Sequence, residues 1–180
     1  VVDLSSGNIS FTGRDLDIAI NGSGWMQVLM PGGEEVLSRR GDLRVDLDGR
    51  LVDGVGRQVV SETGPVAIQP DATSIAIGSD GTISFAPPGN AGAARIALGR
   101  IMLVDPDPAD LTKGLDGEIR IAAGADAAPA TGTQVVAGAL ESSNVNPISA
   151  MVEMISLSRA FEAQSKTLKS ADEMNESSAS

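Results

Sequence analysis

Asp105, Asp107 and Asp110 stand close together on the chain and carry the hard oxygen ligands that a divalent cation prefers. Pro106 and Pro108 interleave them, and that pattern reads equally as a solvated turn. Asp46-Leu47-Asp48-Gly49 opens like a calcium loop, but the closing Glu is missing and Leu51-Val52 continues as a strand, so a hairpin turn is the expectation. Gly22-Ser23-Gly24 is half of a phosphate-binding turn. A dinucleotide fingerprint needs a third glycine and a following helix, whereas a strand pattern follows here. Histidine and cysteine are both absent, which removes the commonest general base, the thiolate nucleophile and any disulfide. Serines therefore lack a histidine partner, no serine–lysine motif is evident, and nothing marks a carboxylate pair for glycoside hydrolysis. The expectation is a protein that is not an enzyme, with no catalytic, metal-binding or cofactor-binding residues.

Composition supports a structural reading. Acids outnumber bases 24 to 13, a formal charge of −11, and a nucleic-acid surface would need the opposite balance. No stretch approaches the ~18 apolar residues of a membrane span, and no signal peptide is visible, so neither nucleic acid nor membrane insertion is expected. Twenty-one Gly and nine Pro punctuate short apolar runs in the manner of an all-β chain. With one Trp, three Phe and no Tyr, the core must be Val, Ile, Leu and Ala.

What positions these residues is first a long helix. Pro147 suits the first helical position and Asn146 its cap. From there Ala150, Met154, Leu157, Phe161, Gln164, Leu168 and Ala171 recur at steps of four and three, a heptad seam broken only at Gln164. Ile148, Met151 and Ile155 widen the apolar face, while Glu153, Arg159, Glu162, Lys166 and Lys169 lie off it. A helix over 147–172 would be roughly 39 Å long and marginal alone, because stability comes from whatever covers the seam. The periodicity leaves two readings open: a helix lying on its own domain, or one that coils with another molecule.

Upstream, hairpins follow at short spacing, each bounded by turn signals. Strands are expected over 7–11, 16–20, 25–30 and 36–39. Leu43, Val45 and Leu47 alternate on one face of another, and Asp48-Gly49 is placed for a type I′ turn. Further strands are expected over 51–52, 58–60, 66–68, 74–77 and 82–85. A mobile loop over 86–94 precedes 95–104, the longest strand and by its near-continuous apolar run a central one. A helical turn at 109–111 and a last strand at 119–122 lead to a small-residue linker over 123–133. The segment 134–140 is expected to lie extended beside 7–11, closing an otherwise open edge. The fold class is mainly β: an antiparallel, hairpin-rich β domain, an irregular barrel or sandwich, followed by one long C-terminal amphipathic α-helix. The domains are 1–133, a β-rich outer domain with its entry strand; 134–146, an extended return segment; and 147–180, the assembly helix and polar tail.

Two stretches resemble the axial proteins of the bacterial flagellum, the rod and hook family. One is Leu140-Glu141-Ser142-Ser143-Asn144-Val145-Asn146-Pro147 with Met151-Val152-Glu153-Met154-Ile155 after it. The other runs from Asn8-Ile9-Ser10-Phe11-Thr12-Gly13 to Asn21-Gly22-Ser23-Gly24-Trp25, with Trp25 where the family usually has Phe. Arg39-Arg40-Gly41-Asp42-Leu43 and Asp46-Leu47-Asp48-Gly49-Arg50-Leu51-Val52 match the same family's hairpin. Within the family, Met154-Ile155-Ser156-Leu157-Ser158-Arg159 with Phe161-Glu162 looks most like a proximal-rod member; distal-rod members carry Gln-Arg-Ala-Tyr where this chain has Ser158-Arg159-Ala160-Phe161.

The resemblance implies terminal helices paired into an inner tube, with the β domain facing outward. It implies a drive shaft in the periplasmic rod of the flagellar basal body, transmitting torque from motor to hook. The implied partners are other rod subunits, both self and axial relatives, and the flagellar type III export apparatus. The assembly interface is expected at Asn144, Asn146, Met151, Met154, Ile155, Leu157, Phe161 and Leu168. The chain opens at Val1 rather than Met and in mid-pattern, which reads as a fragment whose N-terminal helix lies before it. A second reading is a secreted acidic β-rich adhesin or passenger fragment, suggested by the Gly/Asp turns and the acidity.

Overall fold

The structure, a computed structural model, describes residues 6–89, 92–143 and 147–177. Contacts divide it into two compact units, Val1–Ser142 and Ser143–Ser180. The first is β and the second is helical, so the chain is mainly β with one C-terminal helix, and the sheets are antiparallel throughout.

In the first unit β1 (Ile9–Phe11) is followed by β2 (Ile18–Asn21), β3 (Trp25–Leu29), β4 (Glu35–Ser38), β5 (Arg44–Val45), β6 (Leu51–Val52), β7 (Gln58–Ser61) and β8 (Gly64–Pro65). Then come β9 (Thr73–Ile77), β10 (Thr82–Ala86), β11 (Ile96–Arg100) and β12 (Leu103–Asp105). A 3₁₀ turn (Pro108–Asp110) leads to β13 (Leu111–Lys113), β14 (Ile119–Ile121), β15 (Ala128–Pro129), β16 (Gln134–Ala137) and β17 (Ala139–Glu141). The main sheet runs β13-β14-β4-β3-β7-β6-β5, with β12 joined to β3 and β15, and β8 to β7. A smaller sheet is ordered β11-β10-β9.

Alternation explains the core. In β3, Met26 and Val28 are buried while Trp25, Gln27 and Leu29 are half-buried, the period-2 signature of a sheet with one face inward. Ile18, Ile20, Val36, Leu51, Val59, Ile83, Ile101 and Val135 complete a cluster made of aliphatic side chains and Met26, as the scarcity of aromatics requires. At about 25 cal/mol per Å² such burial is the main stabilising term. In β2 Ile18, Ala19 and Ile20 are all buried, because β16 covers its edge while the core lies beneath.

Five hairpin turns share one geometry. In each, the fourth residue is a glycine of positive φ whose N–H donates to the first carbonyl, while the first N–H donates to the fifth carbonyl. They begin at Met30, Asp46, Asp53, Gly78 and Gly114. The expected type I′ turn at Asp48-Gly49 is therefore corrected. Type I′ needs positive φ at both central residues, but only Gly49 is left-handed (φ +79°) and Asp48 is not. The loop is a type I turn closed by a glycine bulge, held by the Asp46 carboxylate, which accepts from the Asp48 and Arg50 N–H groups. Its tip expels Leu47, which is wholly exposed rather than in line with Leu43 and Val45. A Cβ on Gly49 would lie 2.5 Å from the Ile68 carbonyl oxygen, whose residue donates its N–H to the Gly49 carbonyl. Gly49→Val is expected to cost roughly 1 kcal/mol or more; a chemical denaturation midpoint equal to wild type would contradict this.

The longest expected strand, 95–104, is two strands, and only the second is flanked on both sides, by β3 and β15. Its first half, β11, is the edge of the small sheet with Ile96 and Ala97 exposed; its second, β12, joins the main sheet. Between them Ile101 donates to Gly81 and Met102 to Val60, so the chain passes from one sheet to the other at the one fully buried residue of the run, Ile101. An apolar run reports burial but not which sheet supplies it. Residues 66–68 are not a strand beyond a single bridge at Ala67, although Val66 and Ile68 are buried. The expected linker over 123–133 contains β15. In the loop expected over 86–94, residues 90 and 91 lie outside the described residues.

The return segment divides as well. Gln134–Ala137 pairs with Ile18–Asn21, and only the last part, Ala139–Glu141, lies beside Ile9–Phe11 as expected. Gly138 (φ +72°) makes the corner, and its N–H donates to the Asp17 carbonyl.

Candidate assembly surface

The second unit contains α1 (Pro147–Ser177), 31 residues and about 46 Å of helix, beginning at the proline that sequence places at its start. It continues past 172, where the heptad pattern fades. Thr167 and Ser170 donate their hydroxyls to the Ala163 and Lys166 carbonyls, which satisfies them within the helix.

Every described side chain from Met151 to Ala171 is exposed. At about 100° per residue, Met154, Leu157, Phe161 and Leu168 fall within an arc of about 60°, and they are 72%, 71%, 74% and 65% accessible. Met151, Val152 and Ile155, also exposed, extend the apolar surface around the first turns to more than half the circumference. Together these side chains form one continuous exposed apolar face. Asn144 and Asn146, the polar members of the expected interface, lie outside the described residues, as do the side chains of Ile148 and Ala150.

The strands before the helix carry an anchor that sequence reading missed. Glu141, the last residue of β17, accepts from Arg39 Nε at 2.8 Å and from the Gly7 N–H at 2.7 Å. The same guanidinium donates to the carbonyls of Ile20, Gly22 and Gly24 and lies 5.9 Å from the centre of the Trp25 ring. The pair is largely buried, with side chains 14% and 9% accessible. One arginine thus ties the β1–β17 ribbon to the β2–β3 turn. The available signal was Arg39-Arg40 in a chain short of bases, together with a Glu inside an apolar strand. Glu141→Ala leaves Arg39 its three carbonyl acceptors, so the expected loss is about 2 kcal/mol rather than that of a stranded charge. It should appear as faster amide exchange at Ser10 and Leu140; unchanged exchange there would contradict the anchor.

A second tie, in the connection from β1 to β2, is the buried Asp17. It accepts from Arg14 Nη2 at 2.5 Å and from the Thr12 hydroxyl at 2.6 Å. The Arg14 hydrogen bonds hold its carboxyl below the usual range against the opposing effect of burial. A third holds the β13–β14 hairpin. Arg120 grips Asp116 and Glu34 together and lowers the Asp116 carboxyl to about 2.

The three carboxylates considered as cation ligands do not converge. Asp105 accepts from the Ser23 hydroxyl, Asp107 caps the 3₁₀ turn through the Ala109 N–H, and Asp110 lies within that turn. Among the described residues no group of three or more acidic side chains is placed to hold a metal, and no helix is long and apolar enough to cross a membrane. Asp46-Leu47-Asp48-Gly49 and Gly22-Ser23-Gly24 are both turns between strands.

With this geometry in view, the comparisons with known proteins are consistent along the chain. Residues 136–180 match the flagellar basal body rod FlgEFG protein C-terminal family, and residues 19–85 match the D1 domain of the flagellar hook proteins FlgE/F/G. The chain is 36% identical over 177 residues to the flagellar basal-body rod protein FlgF of Escherichia coli (strain K12), covering 95% of this chain and 70% of that protein. It is 35% identical, with the same coverage, to FlgF of Salmonella typhimurium. To the rod protein FlgG of Buchnera aphidicola subsp. Schizaphis graminum it is 32% identical over 191 residues, 94% of this chain and 66% of the relative. A bare seam on a long helix, a β unit with its ribbon anchored by Arg39, and relatives of one kind along nearly the whole length lead to one conclusion: the chain belongs to the flagellar basal-body rod protein family.

Proposed function

We propose that this protein is a structural subunit of the proximal rod in the flagellar basal body, where the exposed face of α1 assembles with other axial subunits. The observation that carries this is the seam of Met154, Leu157, Phe161 and Leu168, exposed throughout on a helix that needs a covering surface. Burying those four would contribute roughly 1.5–3 kcal/mol each, enough in total to hold one subunit among its neighbours. In this reading Asn144 and Asn146 belong to the entry of the same interface, with Met151 and Ile155 on its flank. In this reading the assembled rod carries torque through many small contacts between unlike surfaces.

Delivery through the flagellar export apparatus fits a chain with no cysteine to cross-link on the way. The relatives described above are rod proteins, which favours the rod over a secreted adhesin. The test is co-isolation. Full-length tagged protein should purify with basal bodies from flagellated cells and restore swimming to a strain lacking its gene. Recovery free of basal bodies, or restored swimming without incorporation, would refute the proposal.

A further inference from the structure

Oxidation has few points of attack on this chain. Cysteine, histidine and tyrosine are absent, and Trp25 is the single tryptophan, half-buried in β3. That leaves the six methionines as the side chains that a mild oxidant reaches first. The fold sorts them by access. Met26 is fully buried, and Met30 and Met102 are half-buried. Met151 and Met154, on α1, are 66% and 72% accessible. They stand three residues apart and so neighbour each other on one helix face, the face that carries Leu157 and Phe161. Met174 is also exposed, but at about 100° per residue it lies roughly 130° around the helix from the centre of the seam.

A thioether suits a seam that must fit unlike surfaces, because it is flexible, polarisable and apolar. A peroxide changes that by transferring one oxygen to the sulfur. The O–O bond breaks, an S–O bond forms, the sulfur loses two electrons and the peroxide leaves as water. The sulfoxide is polar and its oxygen is a strong acceptor. In the free subunit water satisfies that acceptor. On a covered seam the water is stripped away, Leu157 and Phe161 offer no donor, and the backbone N–H groups of the helix are already engaged.

We propose that Met151 and Met154 form a reversible oxidation site. A peroxide or a hypohalous acid converts the two thioethers of the free subunit to sulfoxides, and the oxidised subunit is barred from assembly. A methionine sulfoxide reductase reverses the change with a thiol pair, which leaves as a disulfide while the oxygen leaves as water. The proposal rests on the rod reading, since only an interface that dries the seam makes the added oxygen costly.

Its chemical half is read on the native full-length subunit treated with dilute hydrogen peroxide, by peptide mass spectrometry. Met151 and Met154 should each gain one oxygen at least tenfold faster than Met26; equal rates would overturn the site. The assembly half is read in cells that co-produce tagged wild-type protein and the Met151→Leu, Met154→Leu double variant, after a brief sublethal dose of hypochlorous acid. The ratio of variant to wild type in newly built basal bodies should rise at least fivefold over the untreated ratio, and no rise would overturn the proposal. Wild-type subunits in those rods should also carry at least fivefold less sulfoxide at Met151 and Met154 than the unassembled pool, without such depletion at Met174. Equal proportions at the seam, or equal depletion at Met174, would overturn it as well. Absence of the wild-type protein from untreated basal bodies would instead refute the rod reading, and this proposal with it.

Discussion

Leu157→Asp in the full-length protein is expected to abolish rod incorporation and swimming while leaving the β unit as stable as before. Leu157 is 71% exposed in the described structure, so the isolated subunit loses no packing and gains only a solvated charge. Once covered, the same position would lose roughly 2 kcal/mol of apolar burial and would place a carboxylate in an apolar seam at a cost of several kcal/mol more. In a polymer that loss recurs at every subunit. The two halves of the prediction are read separately. Trp25, the single tryptophan, lies in β3 and reports unfolding of the β unit by fluorescence, whereas incorporation is read from purified basal bodies. Normal swimming of the variant would contradict the assembly role, and a lowered β-unit transition would show that Leu157 packs where the structure leaves it bare.

Gly41→Ala is expected to do the reverse and damage the β unit itself. Gly41 lies where the chain between β4 and β5 crosses the start of β2. A Cβ there would lie 1.6 Å from the Ile18 carbonyl oxygen and 2.7 Å from its carbon. The contact is backbone against backbone, and the Gly41 carbonyl accepts the Ile18 N–H at 2.9 Å, so no side chain can swing aside. Ile18 is fully buried, and moving it disturbs the core cluster. A loss of about 3 kcal/mol is expected, or a fall of roughly 6–12 °C in the Trp25 melting transition. A change below about 1 kcal/mol would mean that the crossing is looser than drawn.

How much of this was legible in the sequence depends on the range of the interaction. The helix was legible because a seam at steps of four and three is local and Pro147 fixes its start. Hairpin order was legible for the same reason: Gly33, Gly49, Gly56 and Gly81 each mark a turn within five residues, whereas the strand Leu111–Lys113 and its turn at Gly117 were not foreseen. What failed needed partners distant along the chain. The run 95–104 looks like one strand because Ile96, Leu98, Ile101 and Leu103 are all apolar, yet Met102 bonds to Val60 and Ile101 to Gly81, and those partners assign its halves to different sheets. The segment 134–140 looked like one extended piece, but Gly138 turns it from β2 to β1. Arg39 was visible only as a base beside another base; its four acceptors come from two separate stretches, 20–24 and the distant Glu141. Type I′ and bulged type I turns use the same Asp-Gly, and only the φ of Asp48 separates them.

The most direct test of the central claim is thiol protection at the seam. Phe161→Cys, in a chain with no other cysteine, places one thiol at the middle of the exposed stripe. Alkylation should be rapid in the free subunit and slower by at least an order of magnitude in purified basal bodies containing the same protein. Equal rates in the two states would show that the stripe stays bare in the rod and would contradict assembly through this face.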